Sequence, residues 1–282
     1  MKYLLDHYGF FQAWLLTGTL FYLRYLLAAG LTFLVFYQFL PGKFMHRKIQ
    51  QRLPKGKRIF EEIKHSLYTA FIFTAIFLGL IYLQKLGYTR LYMDLSEHST
   101  AYFILTCIAL IFIHDTYFYW AHRLMHHPKF FAIHKEHHRS RNPTPWTSFD
   151  FHPVEAILEI AFVPVLVFFI PLHPASLFFL SFWLLVWNIV GHLGYEIFPK
   201  NQLDHPILKW LNTSTHHNLH HQRANYNFGL YFNFWDHIMG TNDPCYREVY
   251  ESVTRGKQAK NEQRINLPLK KTSKHCLDRE GI

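Results

Sequence analysis

The chain has 282 residues, of which 50% are hydrophobic and 18% aromatic, and a formal net charge of +10. This length and composition fit either a single soluble domain or a small membrane protein. No recognised nucleic-acid-binding motif accompanies the positive charge. We therefore expect no nucleic-acid partner, and we interpret the charge as solvated loops and attraction to anionic lipids.

The apolar residues are concentrated in long segments. Residues 15–40 are almost entirely apolar, and residues 67–83 and 101–113 are uncharged, at or near the length that spans a bilayer. A further apolar block, 161–190, is interrupted by Pro164, Pro171 and Pro174, which predicts two short helices joined by a tight hairpin. At about 16 residues each, these two helices would be about 24 Å long, so we expect them to be re-entrant rather than fully spanning.

The polar residues between the apolar segments predict the orientation. The stretch 42–65 and the region 201–282 are rich in Lys and Arg, which is typical of cytoplasmic segments, whereas the connection 84–98 is balanced in charge. Segment 15–40 is too long for a signal peptide, so we expect it to be retained as an anchor. The sequence thus predicts an all-α, multi-pass integral membrane protein with four to five transmembrane or re-entrant helices and a cytoplasmic helical cap. The membrane would be the endoplasmic reticulum in a eukaryote or the inner membrane in a bacterium.

Histidines cluster where the apolar segments end. The stretch HRLMHHPKFFAIHKEHH, residues 122–138, contains six of them. His122 and His126 are four residues apart at the end of the helix that we expect to begin near Ala101, so both imidazoles lie on one face. His134, His137 and His138 have the equivalent spacing of three and four. Clustered imidazolium ions would repel one another, whereas a divalent metal uses all of them, so the pattern predicts metal binding.

A second cluster lies in THHNLHH, residues 215–221, where His217, His220 and His221 repeat the spacing. His192, at the end of the last apolar segment, is expected at the same membrane level. One metal with six or fewer ligands cannot use nine histidines, so the count predicts two metal ions. Imidazole suits iron, zinc and copper, so ligand type leaves the element open.

The motifs YWAHRLMHH, HKEHH and HHNLHH, in this order and separated by an apolar hairpin, resemble the three histidine boxes of the membrane fatty acid hydroxylase and sterol desaturase superfamily. The Pro143-Thr144-Pro145 run and the Phe-His-Pro at 151–153 are most similar to its sterol C-5 desaturase branch. The similarity covers roughly residues 111–241.

This resemblance implies a set of metal ligands. They are His122, His126, His134, His137, His138, His192, His217, His220 and His221. Two neighbours remain alternative ligands. His127 could replace or join His126, and His216 is adjacent to His217.

Polar residues near the boxes could orient these ligands. Asp115 precedes His122 by two helical turns and could accept the second N–H of a ligand histidine, with a helix-end salt bridge as the alternative interpretation. Asp236 is a weaker candidate for the same role. His152 matches a family position, and we expect it to support a turn, which Glu155 anchors, or to orient a ligand.

The resemblance implies an oxygen-dependent di-iron oxidoreductase that desaturates or hydroxylates a membrane lipid, and the branch it resembles favours a sterol. Zinc could occupy the isolated protein. A fatty acyl or sphingolipid hydroxylase of the same superfamily is the alternative, and a non-enzymatic metal-binding membrane protein is the alternative of another class. The sequence shows no flavin, nicotinamide or haem motif, so an external donor is expected, either a b-type cytochrome or a ferredoxin with its reductase. We divide the chain into anchor helices with a basic loop (1–100), a catalytic domain (101–245) and a basic tail (246–282).

Overall fold

The computed structural model describes residues 7, 9–52 and 55–255, and these residues form helices joined by short loops. The main helices are α1 (Phe10–Phe33), α2 (Gly56–Lys85), α3 (Thr100–Met125), α4 (Pro153–Ile160), α5 (Phe162–Phe169), α6 (Pro174–Gly191), α7 (Ser214–Arg223), α8 (Phe234–Ile238) and α9 (Tyr246–Thr254). Single helical turns lie at Leu34–Phe39, Pro41–Phe44, Met45–Arg47, Leu95–Glu97, Phe131–His134, His137–Arg139, Pro145–Phe149, Gln202–Asp204 and Leu208–Trp210. Within the described ranges β-pairing is limited to isolated bridges, so the all-α prediction is confirmed.

Four helices of the described chain are long and apolar enough to cross a membrane. They are α1 with its π-helical continuation, α2, α3 and α6, and they contain 30, 30, 26 and 18 residues. The prediction of four to five spanning or re-entrant helices is therefore confirmed. The predicted hairpin in the block 161–190 is also present, but its two arms differ. The α5 helix has only 8 residues, whereas α6, with 18, is longer than the sequence suggested.

The described chain folds into two compact units. Unit 1 contains the residues up to Ala28 together with Glu61–His137 and Phe149–Val186, and unit 2 contains Ala29–Phe60, His138–Ser148 and the residues from Trp187 onward. The division along the chain at residues 100 and 245 stays a prediction. Most of the proposed tail, from residue 256 onward, lies outside the described residues.

Unit 1 is held together by an apolar core between its helices. Leu80 and Ile81 of α2, Leu110 of α3 and the two residues Phe162 and Val163 of α5 are buried together in it. The loop that follows α2 fixes the α5–α6 hairpin, because the Tyr92 amide donates to the Leu172 carbonyl at 3.1 Å. Between membrane-spanning helices such packing stabilises the unit through van der Waals contact rather than through removal of apolar surface from water.

The α4 helix is positioned by its own N-terminal residues. His152 is the N-cap, and Pro153 begins the helix, where the missing N–H costs nothing. The His152 side chain accepts from the Val154 amide at 3.3 Å, while Glu155 accepts from the His152 amide at 3.4 Å. This capping box directs the Glu155 side chain back toward the start of the helix. The expectation that Glu155 anchors this turn is confirmed.

Unit 2 packs α7 and α9 around a smaller core. Leu219 of α7 is buried with Ile49 and with Val249 and Tyr250 of α9. Thr213 caps α7 by accepting from the His216 amide at 3.2 Å, and Ala224 ends it in the left-handed conformation, with φ of 57°. The result is a short, almost wholly buried helix that carries three of the predicted ligands.

Candidate metal centre

In unit 1, the end of α3 and the turn Phe131–His134 bring three histidines together. His122 is buried on α3, His126 caps the helix and His134 ends the turn. Their ring centroids are 4.7–5.0 Å apart, and the Nε2 atoms of His122 and His134 are separated by 3.0 Å. We call His122, His126 and His134 the unit 1 triad.

A buried carboxylate fixes the orientation of one member of this triad. The Nδ1 of His134 lies 2.6 Å from Oε1 of Glu155, and both side chains are buried. Burial, reinforced by the neighbouring Glu159, raises the pKa of Glu155 well above its ordinary value, and a cation bound to His134 would favour the ionised carboxylate. Because Nδ1–H donates to this carboxyl group, the lone pair of His134 is left on Nε2, which points at His122.

In unit 2, the end of α6 and α7 form a second set of three. His192 follows α6 directly, and His217 and His221 lie one turn apart on α7. The three Nε2 atoms are 3.0, 3.1 and 3.2 Å apart. Gly191 allows this approach, because a Cβ atom at that position would lie 3.3 Å from the His217 ring. We call His192, His217 and His221 the unit 2 triad.

The unit 2 triad is oriented by the main chain. The Nδ1 of His192 lies 2.7 Å from the carbonyl oxygen of Asn188, one turn earlier on α6. Since this nitrogen donates, the His192 lone pair is also on Nε2. His134 and His192 therefore each direct an unprotonated Nε2 toward the neighbouring imidazoles of their triads, where a metal ion could be bound.

Three further predicted ligands lie beside the triads of their own units. In unit 1, the His137 ring stacks on His134 at 5.1 Å, and its Nδ1 lies 3.2 Å from the Asp150 carbonyl oxygen. In unit 2, the Nε2 atoms of His138 and His220 are 3.0 Å apart, and the Nδ1 of His220 lies 2.7 Å from the Tyr226 carbonyl oxygen. All three are buried.

The spacing of the nitrogens fits a metal ion. Nitrogens bound at about 2.0–2.1 Å are separated by about 2.9 Å in octahedral geometry and about 3.4 Å in tetrahedral geometry. The unit 2 triad, at 3.0–3.2 Å, falls between these values. Each triad can thus hold one metal ion, with three protein ligands and room for others, as catalytic sites require.

The alternative ligands have different surroundings. His127 is exposed, and its Nδ1 accepts from the Lys129 amide at 3.3 Å. His216 is fully buried, with its ring 5.1 Å from that of Tyr246 and its Nε2 3.7 Å from Asp236. Burial lowers the pKa of His216 to about 3, so it is neutral at pH 7. The structure groups neither of them with a triad.

Three polar residues were expected to orient ligands, and each lies in a different part of the chain. Asp115 is buried on α3, and its role stays a prediction. Asp236 accepts from the amides of Phe228 and Gly229 and from the Thr241 hydroxyl, at 2.7–2.8 Å, and so orders the loop that follows α7. His152 is the exposed cap of α4.

Sequence reasoning missed the groups that orient the ligands. Glu155 was expected only to anchor a turn, and the carbonyls of Asn188, Asp150 and Tyr226 belong to the main chain and leave no mark in residue type. The second box also differs from expectation. Its residues do not share one helix face, because His134 ends one turn and His137 begins another.

The region of this chain that is similar to known proteins contains all nine predicted ligands. Residues 107–241 match the family model for fatty acid hydroxylase. Lathosterol oxidase of Homo sapiens is 32% identical over 235 residues, covering 76% of this chain and 76% of that protein.

The chain belongs to the fatty acid hydroxylase and sterol desaturase superfamily.

Further relatives place it near the predicted branch. The Delta(7)-sterol 5(6)-desaturase of Gibberella zeae is 30% identical over 207 residues, covering 71% of this chain and 62% of that protein. Lathosterol oxidase of Rattus norvegicus is 36% identical over 166 residues, covering 58% of this chain and 54% of that protein. The chain thus spans less than two thirds of the length of some relatives. No solved structure matches it significantly. The predicted resemblance to the sterol C-5 desaturase branch is confirmed, and with the four apolar helices this membership identifies an integral membrane protein.

Proposed function

We propose that the protein is an oxygen-dependent membrane oxidoreductase that holds two iron ions on nine histidines and introduces a double bond into a sterol-like lipid. The observation that supports this most is the pair of triads, one in each unit. The Nε2 atoms of His122 and His134 are 3.0 Å apart, and those of the unit 2 triad are 3.0–3.2 Å apart. Two separate sets of three imidazoles suit two ions better than one. His137, His138 and His220 complete the ligand set in this proposal.

The residues of the chain would hold and orient the metal centre. When bound, reduced iron and dioxygen supply an oxidant that can remove hydrogen from an unactivated C–H bond. The triads fix the positions of the nitrogens, while Glu155 and the main-chain carbonyls hold the ring orientations. Burial of the histidines keeps bulk water away from the reacting atoms. In the balanced reaction the lipid loses two hydrogen atoms, and dioxygen takes these together with two electrons and two protons to form two water molecules.

The choice of a sterol as the substrate is supported by the names of the relatives. The human and rat relatives are named lathosterol oxidase, and the Gibberella relative is named a sterol desaturase. Hydroxylation of an acyl chain would use the same ligand set and remains the competing outcome.

We propose that the two electrons come from another protein, a b-type cytochrome or a ferredoxin, that approaches from the cytoplasm. This requires the histidine boxes to face the cytoplasm. Cysteine labels at Lys57 and Arg139 should then react from the cytoplasmic side, and a label at Leu91 should react from the opposite side. A label at Arg139 that reacts from the same side as one at Leu91 would contradict this orientation.

The decisive experiment supplies the purified, iron-loaded protein with sterols or acyl lipids and a reductant, under air and under argon. We expect a sterol with one additional double bond, under air alone. A hydroxylated acyl chain would refute the sterol assignment. Equal product under argon would refute the oxygen requirement, and bound metal with no lipid product would favour a non-enzymatic metal-binding protein.

A further inference from the structure

Unit 1 encloses an apolar cavity of about 440 Å³, which lies within the range of small-molecule sites. Its wall is formed by helices α1, α2, α3 and α6, together with residues 159–163. Leucine, isoleucine and valine side chains line it together with five phenylalanines: Phe21, Phe73, Phe77, Phe162 and Phe178. A cavity of this size and polarity suits the body of one lipid molecule.

One cationic side chain, that of Arg24, lines this cavity, and some of its hydrogen-bond donors have no acceptor among the described residues. Arg24 lies at the middle of the 30-residue apolar segment Phe10–Phe39, where a charged side chain is costly. Its Nη2 donates to the Ser181 hydroxyl at 2.8 Å, and its guanidinium lies 4.2 Å from the centre of the Phe21 ring. Its Nε and Nη1 atoms are buried and have no hydrogen-bond partner among the described residues.

The acidic residue of the same wall does not neutralise Arg24. Glu159 also lines the cavity, but within the described chain no ion pair joins it to Arg24. Buried donors without acceptors are expensive, and a guanidinium left in this state commonly marks a binding site. The ligand that would satisfy Arg24 must present an oxygen acceptor in an otherwise apolar molecule.

Glu159 favours an alcohol over an acid as that ligand. Burial raises the pKa of Glu159 to about 8, so near neutral pH both its protonated and its ionised forms are populated. A hydroxyl group can accept from the acid or donate to the carboxylate, whereas a carboxylate ligand would be repelled by the ionised form.

The cavity is connected to the metal ligands of unit 1 through two helices. Glu159 lies one turn after Glu155, the partner of His134, on α4. His114, which lines the cavity, lies eight residues before His122 on α3, about 12 Å along the helix axis. A lipid in the cavity would therefore have its body within one molecular length of the unit 1 triad.

We propose that this cavity binds the apolar body of a sterol-like alcohol and that Arg24 donates a hydrogen bond to its hydroxyl oxygen. The inference rests on the proposed function for the identity of the lipid, but its test is a binding measurement and does not need turnover.

The test measures binding of three radiolabelled probes to the full-length protein in detergent: a 3-hydroxysterol, its 3-deoxy hydrocarbon and oleate. The variants are Arg24→Met, which removes the donors, Arg24→Lys, which keeps a charge, and Ser181→Ala, which removes one contact of the guanidinium. Arg90→Met is the matched control, because Arg90 is exposed in the loop after α2.

We expect Arg24→Met to weaken binding of the hydroxysterol by roughly ten- to hundredfold, as for loss of a charged hydrogen bond, while the deoxy analogue is unaffected. The hydroxysterol affinities of Arg24→Lys and Ser181→Ala should lie between those of Arg24→Met and the wild type. Removal of a buried, incompletely bonded cation should leave the thermal stability of Arg24→Met equal to or above that of the wild type.

Three outcomes would overturn the proposal. These are an equal loss for the hydroxysterol and its deoxy analogue, a preference for oleate that depends on Arg24, and unchanged hydroxysterol binding in Arg24→Met. Sterol binding without turnover would leave the cavity assignment intact and refute only the proposed reaction. Sterol turnover with unchanged binding in Arg24→Met would refute only the cavity assignment.

Discussion

The unit 1 and unit 2 triads orient their imidazoles by different means. His134 of unit 1 is oriented by the buried carboxyl group of Glu155, whereas His192 of unit 2 is oriented by the main-chain carbonyl of Asn188. A carboxylate partner increases the basicity of the imidazole and offsets the charge of a bound cation. A carbonyl partner fixes the tautomer and the ring orientation but carries no formal charge. The comparison therefore teaches that unit 1 depends on a side chain that mutation can remove, while unit 2 depends on helix geometry.

Loss of a triad histidine should have the largest effect. We expect His134→Ala and His217→Ala each to lower the bound metal from about two ions per chain to about one and to abolish lipid turnover, because each removes one of three converging ligands. Metal analysis of the purified variants and product detection by mass spectrometry check this. His46→Ala, at an exposed position outside both triads, is the control and should bind metal normally. If both triad variants kept two ions, the assignment of one ion to each triad would be wrong.

Glu155→Gln should have the second-largest effect, and it should be confined to one of the two ions. The amide still accepts from His134 but carries no charge, so we expect the affinity for that ion to fall by about ten- to hundredfold. Titration with a competing chromophoric chelator measures both affinities. Glu248→Gln is the matched control, because Glu248 is a half-buried residue of α9 that belongs to neither triad. Equal weakening of both ions would show that the two triads do not differ in the way proposed.

Glu159→Gln tests the effect of burial on a carboxyl group of unit 1 other than Glu155, the one that bonds to His134. Burial raises the pKa of Glu159 from its ordinary 4.5 to about 8. The folded state therefore holds this proton more tightly than the unfolded state, and stability is highest below about pH 4.5 and falls as the pH rises through the window to about 8. The slope is at most about 1.4 kcal/mol per pH unit.

Melting curves in detergent between pH 5 and 8 measure this contribution. The wild type should lose melting temperature relative to Glu159→Gln as the pH rises, by about 2–4 °C for each kcal/mol. Parallel pH profiles for the two proteins would contradict the assignment of the titration to Glu159. Glu248→Gln should follow the wild type.

Asn188→Ala should have the smallest effect on metal binding. The atom that accepts from His192 is the main-chain oxygen, which alanine retains in a helix. We expect the affinity of the unit 2 triad to change by less than about twofold, well below the effect of Glu155→Gln on unit 1. The chelator titration used for Glu155→Gln compares the two directly. A tenfold loss in Asn188→Ala would remove the distinction between side-chain and main-chain support.

Short-range patterns were readable from the sequence. The spacing of His217, His220 and His221 predicted one face of a helix, and α7 carries all three. His122 and His126 were expected at the end of a helix that begins near Ala101, and α3 ends at Met125 with His126 as its C-cap. The prolines predicted the α5–α6 hairpin and its position. These features depend on helical periodicity and on the missing N–H of proline, both of which act within a few residues.

The sequence by itself therefore determined the helices, the histidine boxes and the superfamily, and it predicted two metal ions. Only the tertiary structure decided which histidines converge within each unit, that Glu155 and three main-chain carbonyls orient them, and that Arg24 lines an apolar cavity with Glu159. Box two shows the reason most clearly, because His134 and His137 share a spacing but lie in separate turns, and His134 is fixed by a residue 21 positions away. Such contacts depend on how distant segments pack, and carbonyl oxygens are the same in every residue, so neither can be read from residue type or spacing.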